Sequence, residues 1–199
     1  HPGRGGDGHM IAATVAGQPV SVIEVDAREQ ALRSSAQAAA LPRPGTSEGR
    51  QLRRWLTQVL VTEKVVAREA VVLGVSPAGA PAESEVLPDL TARLEIGSIA
   101  AGVLATPVGR AVFAHVTADV EVDPAAVADY HRRNPRRFVR DRDASLDEVA
   151  ARIHALLLGA ARRRAFRLWL DQRRAALVQL APGYEHPGDP RQPDNVHRH

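Results

Sequence analysis

Hydrophobic residues recur at three- and four-residue steps along two long stretches of the chain, a spacing that predicts amphipathic α-helices. The first stretch begins at a capping Thr46 or Ser47, and Gly74 supplies its C-terminal stop. The second begins at Ser145, which forms a capping-box pattern with Glu148, and it continues for about seven turns. Its apolar face comprises Leu146, Val149, Ile153, Leu156, Ala160, Phe166, Trp169 and Leu170.

The N-terminal region predicts shorter elements. Apolar and polar residues alternate over residues 11–20, around a Gly-containing turn, which predicts a short strand followed by a turn. Ser21 and Glu24 form a second capping-box pattern and predict a helix over residues 22–37. Two prolines and a glycine within residues 41–45 then interrupt the chain before the first long helix.

The middle of the chain carries a more broken pattern. Residues 87–115 predict several short helices, and residues 116–122 predict a strand or an extended link. A further helix begins near Pro124 and ends before the Asn134–Pro135 pair, because the residue before a proline disfavours the helical conformation. Residues 177–181 predict a terminal strand. The predicted fold is therefore mainly α, with long amphipathic helices and a small β element.

Composition supports a helical core and excludes some chemistry. The chain has 199 residues, of which 44% are hydrophobic but only 4% aromatic, so the core must consist mainly of Leu, Val, Ile and Ala. It contains no cysteine, which excludes disulfides, thiolate metal ligands and cysteine nucleophiles. Lys64 is the only lysine, so almost all of the basic charge is arginine.

Targeting segments are not evident in the pattern. No stretch approaches the roughly 18–20 apolar residues of a membrane span, and none resembles the apolar region of a signal peptide. We therefore expect a cytoplasmic protein without a membrane partner. Met10 is the only methionine, and we expect residues 1–9 before it to be an expression remnant.

The order of these elements, from a short strand and a capped helix to one long terminal helix and a strand, resembles the chaperone domain of the SurA/PrsA-type parvulin foldases. The similar stretches are VAGQPVSVIEVDAR (15–28), GRQLRRWLTQVLVTEKVVAREAVVLGV (49–75), VEVDPAAVADYHRRNPRRF (120–138) and EVAARIHALLLGAARRRAFRLWLDQRRAALV (148–178). The resemblance implies that the long terminal helix packs on the N-terminal helices. It also implies that the strand at 177–181 pairs with the one at 11–15.

One difference from that family concerns catalysis. In those foldases a prolyl-isomerase domain commonly lies between the segment similar to YHRRNPRRF and the last helix, whereas here residues 139–144 alone fill that position. Six residues cannot form a domain, so prolyl isomerase activity is not expected. We expect one helical domain of this type over residues 10–182, followed by a His-, Asp- and Pro-rich tail over 183–199.

These features predict a chaperone-like module without an isomerase domain, which binds peptide or protein segments in an apolar groove. The groove would lie between the long helices, around those of its residues that are not fully buried. A homodimer is compatible with long amphipathic helices that contain few aromatic residues. The predicted groove residues are Leu56, Leu60, Leu157 and Trp169.

The tail, GYEHPGDPRQPDNVHRH, favours an alternative. Imidazole and carboxylate groups are the ligands of many divalent metal sites, although their spacing here matches no standard motif. The protein would then be an enzyme of a specialised biosynthetic pathway, built on the same scaffold, whose tail contributes a metal or small-molecule substrate site. Surface placement of the tail is the simpler interpretation. The candidate ligands are Glu185, His186, Asp189, Asp194, His197 and His199.

Two further groups of residues have both structural and functional interpretations. His131 and Tyr130 are candidate catalytic residues if they converge on one pocket, while surface or packing roles are the alternative. Residues 131–174 contain thirteen arginines and five carboxylates, a local net charge of +8. Arginine stems commonly cover the apolar surface of a solvated helix. The functional interpretation is that these arginines bind phosphates of a nucleic acid or a CoA-type ligand. Stacking aromatics do not interleave with them and no recognised nucleic-acid motif is present, so we do not expect a nucleic-acid partner.

Overall fold

A computed structural model describes residues 10–138 and 145–184. Within these residues the fold is mainly helical with a small antiparallel sheet, which confirms the predicted class. The strands are β1 (Ile11–Val15), β2 (Gln18–Ser21) and β3 (Val178–Leu180). The helices are α1 (Val22–Arg33), α2 (Ser47–Leu73), α3 (Glu83–Val86), α4 (Leu90–Ile96), α5 (Ser98–Leu104), α6 (Pro107–Val116), α7 (Pro124–Arg133) and α8 (Leu146–Leu177).

The described chain divides into two compact units. The first contains the residues up to Gly74 together with those from Gln172 onward, and the second lies within Val75–Asp171. The sequence predicts one helical domain over residues 10–182, and this stays a prediction. The two ends of the described chain share one unit, and the middle of the chain forms the other.

The first unit contains a three-stranded sheet in the order β2-β1-β3, with both pairs antiparallel. Residues Ala16 and Gly17 connect β1 to β2 with positive φ angles of 49° and 80°, the backbone geometry that tight hairpins favour. In the other pair, Ala13 lies opposite Leu180 and Val15 opposite Val178. The predicted pairing of the first and last strands is therefore confirmed.

The sheet and two helices enclose the core of this unit. The capping box that opens α1 is present, since Ser21 N donates to Glu24 Oε2 at 2.9 Å and Glu24 N donates to Ser21 Oγ at 3.2 Å. Each bond satisfies a backbone N–H that the first helical turn leaves without a partner. The buried apolar residues are Ala12, Ala13, Val15, Val20, Val25, Leu60, Val61 and Val65.

Helix α1 is shorter than predicted, because it ends at Arg33 and not at residue 37. Beyond that point Ser34 Oγ donates to Gln30 O at 2.9 Å, and Ser35 Oγ donates to Leu32 O. Ser34 N still donates to Gln30 O, but the Ser35 hydroxyl occupies the Leu32 carbonyl, to which the N–H of residue 36 would donate if the helix continued. This local hydrogen bonding accompanies the early end.

Ion pairs link α1 to α2. Arg28 donates to both carboxylate oxygens of Glu63, at 2.9 and 2.6 Å, and this hydrogen bonding raises the pKa of Arg28 even though partial burial acts against it. Lys64 Nζ lies 2.7 Å from Glu24 Oε1. The face of α2 that packs against α1 therefore combines apolar contacts with ion pairs. The ion pairs help to fix the rotation of one helix relative to the other.

Helices α2 and α6 begin with the same local motif, Thr-x-x-Gly. Thr46 Oγ1 accepts from Gly49 N at 3.0 Å, and Thr106 Oγ1 accepts from Gly109 N at 3.1 Å. Each threonine hydroxyl also donates, at 2.7 Å, to the carbonyl three residues earlier, which belongs to Arg43 in one case and Val103 in the other. The chain thus forms a tight turn before each helix, and the glycine lies where the first turn of the helix approaches that preceding turn most closely.

The second unit consists of short helices and the part of α8 that ends at Asp171. Phe166 is fully buried, with its ring 5.3 Å from that of Phe113 in an edge contact and 5.8 Å from that of Trp169 in a stacked contact. The pattern predicts a strand or an extended link over residues 116–122, but Val116 ends α6 and residues 117–119 form a turn in which Val120 N donates to Thr117 O at 3.1 Å. Residues 120–123 then lead to α7 without forming a strand. Other buried apolar residues of this unit are Val86, Leu87, Ile96, Val103, Leu104, Val112, Val149, Ile153 and Leu170.

In the described part of the chain, a single helix long and apolar enough to span a membrane was not found. Helices α5 and α6 reach the necessary length and composition only when taken together, and they meet at a bend of 103°.

Candidate functional site

The second unit has an apolar groove between α7 and the start of α8, which we call the α7–α8 groove. Asp123 caps α7 by accepting from Ala125 N at 2.8 Å, and the Ser145–Glu148 capping box opens α8. These caps set the helix ends that border the groove. Its volume is about 560 Å³, and it is lined by Pro124, Val127, Ala128, His131, Leu146, Asp147, Ala150, Ala151, Ile153 and His154.

The lining is apolar apart from three ionisable side chains, His131, Asp147 and His154. Leu146 at its border is 79% exposed, although the fully buried Ile153 forms part of the same lining. A large aliphatic side chain left in water at the entrance of an apolar depression marks an interaction surface more often than an isolated exposed leucine does. The groove can therefore accept apolar side chains from another molecule.

Two exposed arginines follow the groove residue His131 along α7, although neither of them lines the groove. Arg132 and Arg133, at the end of α7, have side chains that are each 76% exposed, and both pair with Asp129 at 3.3 and 3.1 Å. The ring of His131 contacts the ring of Phe138 edge-on, with centroids 6.0 Å apart. An apolar floor with arginines beside it would favour ligands that combine apolar and acidic groups.

A smaller cavity of about 220 Å³ lies between α4, α7 and α8, and we call it the α4–α8 cavity. It shares no lining residue with the α7–α8 groove. Its lining combines two arginines and two carboxylates with apolar side chains from α8. The residues are Asp89, Thr91, Ala92, Glu95, Tyr130, Arg137, Leu156, Leu157, Ala160 and Arg163.

The catalytic candidates Tyr130 and His131 line different cavities. Tyr130 lies at the α4–α8 cavity, where its hydroxyl accepts from Arg137 Nη1 at 2.5 Å, whereas His131 lies in the α7–α8 groove. Neighbouring residues on a helix point about 100° apart, which accounts for the separation. The structure does not bring these two side chains to one site.

Arg163 is the most unusual residue of the α4–α8 cavity, because its side chain is charged and yet 7% exposed. Its Nη1 donates to Val86 O at 3.1 Å, while its Nε is buried without a hydrogen-bond partner. Burial lowers the pKa of this guanidinium, and the carboxylates of Glu95 and Asp89 act in the opposite direction. Among the described residues none forms an ion pair with it.

Arg167, one turn after Arg163, has a structural role. Its Nη1 donates to the carbonyls of Glu95 and Ile96, at 3.2 and 3.1 Å, where α4 ends. A cation at a helix C-terminus satisfies carbonyls that have no helical partner and interacts favourably with the helix dipole. The arginine-rich stretch is thus not a uniformly solvated face, since Arg163 is buried and Arg167 binds backbone.

Sequence reasoning missed Arg163, but one residue could have indicated it. Gly159 lies in the interior of α8, where glycine is unfavourable relative to alanine by roughly 0.5–1 kcal/mol. A Cβ at that position would lie 3.2 Å from Arg163 Nη1. The glycine therefore leaves room for a guanidinium that folds back along its own helix.

The predicted groove residues do not form one exposed surface. Leu56 and Leu60 are 3% and 8% exposed, and Leu60 belongs to the core of the first unit, so these two side chains are not accessible to a client. Leu157 lines the α4–α8 cavity, and Trp169 is half-buried against Phe166. Helical spacing identified their apolar faces but could not tell which of those faces is covered.

A third depression of about 600 Å³ lies in the second unit, between α6 and α8. It borders Phe113, Ala114, Thr117, Leu158 and Arg162. Its polar and apolar groups are mixed, and it contains no histidine.

Within residues 10–138 and 145–184, no group of three or more His, Asp or Glu side chains is arranged to hold a metal ion. The predicted ligands of the tail, Glu185, His186, Asp189, Asp194, His197 and His199, lie outside the described residues.

The class of protein that this geometry defines is a mainly helical one with a small antiparallel sheet, in which the first strand pairs with the last. One family model matches residues 11–48, which cover β1, β2, α1 and the following link, and its description is a family of unknown function (DUF7158). No curated protein matches the chain. No solved structure matches it either.

Proposed function

We propose that this protein is a chaperone-like module that reversibly binds short apolar segments of peptides or other proteins in the α7–α8 groove. The observation that carries this proposal is the apolar lining of a groove of about 560 Å³, with Leu146 79% exposed at its border. The mechanism is burial of apolar surface, without covalent chemistry.

The expected affinity is modest. Burying one Leu, Ile or Phe side chain contributes about 1.5–3 kcal/mol, and the groove has room for a few such side chains. Part of that gain is lost because the client segment must become ordered. Micromolar or weaker binding to many different segments is the expected behaviour of a holding chaperone.

The resemblance of the sequence to the SurA/PrsA-type chaperone domain supports this proposal. The pairing of β1 with β3, and the contact between Glu69 of α2 and Arg173 of α8 at 3.0 Å, are features that the resemblance implies. The exposed arginines at the end of α7 favour clients that carry acidic residues beside their apolar ones.

A pair of matched variants tests the groove. Ala128 and Ala126 are both exposed residues of α7, but only Ala128 lines the groove. Ala128→Glu places a carboxylate on the apolar lining, which costs binding because that charge must be desolvated. We expect it to weaken binding of a fluorescent peptide with Leu, Phe and Asp residues about tenfold or more, and to reduce suppression of client aggregation.

Ala126→Glu is the control, because it adds the same charge to the same helix outside the groove. Peptide affinity is measured by fluorescence anisotropy, and aggregation of a thermally unfolded client by light scattering. If both variants bind like the unmodified protein, or if the unmodified protein does neither, the groove is not a client site.

The enzyme alternative stays a prediction that rests on residues 183–199. Metal analysis of the untagged full chain beside a chain that ends at Pro182 tests it directly. Bound metal in the full chain alone would favour a tail site. The cytoplasmic location and the homodimer also stay predictions.

A further inference from the structure

The α4–α8 cavity contains opposite charges that do not satisfy one another. Arg163 uses one of the five N–H donors of its guanidinium, on Val86 O, and forms no ion pair with a described residue. The carboxylate of Glu95 lines the same cavity, and it too has no hydrogen bond or ion pair among the described residues. Asp89 differs, because its Oδ1 already accepts from Ala92 N at 2.8 Å.

A buried guanidinium is costly unless an anion or several acceptors compensate it. Arg163 is 7% exposed, and Gly159 in the preceding turn leaves room for it. Glu95 lies close enough to influence its pKa, but not within ion-pairing distance. The two charges are thus held near each other with space between them.

The remaining lining limits what can enter. Leu156, Leu157 and Ala160 of α8 supply an apolar wall, and Tyr130 and Arg137, which share a hydrogen bond, also line the cavity. The volume of about 220 Å³ is below the roughly 300–1,000 Å³ of sites for drug-sized ligands. The occupant must therefore be small, with an apolar part.

We propose that the α4–α8 cavity binds a free α-amino acid with an aliphatic side chain. The ligand carboxylate accepts hydrogen bonds from Arg163, in the planar geometry that guanidinium groups favour. The ligand ammonium donates to Glu95, and the side chain packs on Leu156 and Leu157. This site is separate from the α7–α8 groove, and it goes beyond the proposed client binding.

Isothermal titration calorimetry with four probes tests the recognition of each group. The probes are L-leucine, leucine methyl ester, 4-methylpentanoate and 3-methylbutylamine. The ester has no free carboxylate, 4-methylpentanoate has no ammonium group, and 3-methylbutylamine has no carboxylate. We expect leucine to bind with a millimolar or lower Kd and to raise Tm. Each of the other probes should bind about tenfold more weakly or worse.

Two variants assign the roles. Glu95→Gln removes an exposed carboxylate, so it should fold normally, weaken leucine about tenfold and leave 4-methylpentanoate unchanged. Arg163→Met should abolish binding of both. Glu121→Gln, an exposed carboxylate outside every cavity described above, is the matched control and should bind leucine normally.

Clear outcomes overturn the proposal. Absence of heat and of a Tm change with leucine at roughly ten times the expected Kd would do so. Equal affinity for leucine and its methyl ester would also overturn it, because Arg163 would then have no part in recognition. The Glu95→Gln test can be interpreted even if the Arg163→Met variant does not fold. Unchanged leucine binding by Glu95→Gln would therefore by itself contradict the proposed ammonium site.

Discussion

Gly109, the third residue of α6, offers a sharp test of how the Thr-x-x-Gly motif works. A Cβ built on Gly109 would lie 2.1 Å from Val103 O and 2.9 Å from Thr106 Oγ1. The first of these atoms belongs to the backbone and is held by the hydroxyl of Thr106 at 2.7 Å. Gly109→Ala therefore forces the turn before α6 to open.

Two opposing effects set the magnitude. Alanine in place of glycine inside a helix is favourable by roughly 0.5–1 kcal/mol, whereas overpacking of a tightly packed position costs about 1–3 kcal/mol. The overlap here is with backbone and not with the end of a flexible side chain, so the upper part of that range applies. We expect Gly109→Ala to lower the free energy of unfolding by about 1–2 kcal/mol.

Urea unfolding followed by tryptophan fluorescence measures this change, since a shift of the midpoint at constant m reports stability. Ala92 is the control, because it is the third residue of α4 and bears a Cβ without conflict, 2% exposed behind its Asp89 cap. Ala92→Gly should destabilise the protein through its lower helix propensity alone. Such a result would show that the third position of a capped helix does not by itself require glycine. A stabilised Gly109→Ala protein would refute the steric reasoning.

Two other substitutions test the core and the capping box. Phe166→Ala removes the edge contact with Phe113 and the stacked contact with Trp169, and it should destabilise by about 3–5 kcal/mol in the same urea assay, with Phe166→Leu losing less. The hydrogen bond from Lys64 lowers the pKa of Glu24. The charged form of Glu24 therefore stabilises the fold above the unfolded-state pKa of about 4.3, and this stabilisation is lost as the pH falls through the lowered pKa of the folded state. Glu24→Gln should therefore cost up to about 1 kcal/mol at pH 7 and converge with the unmodified protein near pH 2, and a constant difference at all pH values would contradict this.

Local chemistry made much of the fold predictable. The capping boxes at Ser21 and Ser145 and the αL glycine at Gly74 all occur where the sequence places them. Such signals act within one helical turn, so they do not depend on the rest of the structure. The β1–β3 pairing was expected from the resemblance, because two short strands at opposite ends of a chain carry no local information about each other.

The candidate sites were less predictable, since they depend on which apolar faces are covered. Leu60 and Leu146 both lie on periodic apolar faces, yet Leu60 is 8% and Leu146 79% exposed. Hydrophobic spacing identifies the apolar face of a helix, but it does not show which element, if any, covers that face. Arg163 was hidden for a related reason: an arginine among many others predicts a solvated helix surface, and only the adjacent Gly159 departs from that pattern.

The discontinuous first unit has a consequence for biosynthesis. Strand β1 is made early, but its second neighbour, β3, is made after the whole of the middle unit. The middle unit comes from one continuous stretch, so it can fold while the ribosome is still extending the chain. A nascent chain arrested before Val178 would leave one side of β1 with unpaired backbone groups, the kind of sheet edge that recruits strands from other molecules. Completion of the N-terminal sheet is thus a late event, and stalled or truncated translation products should be the aggregation-prone form of this protein.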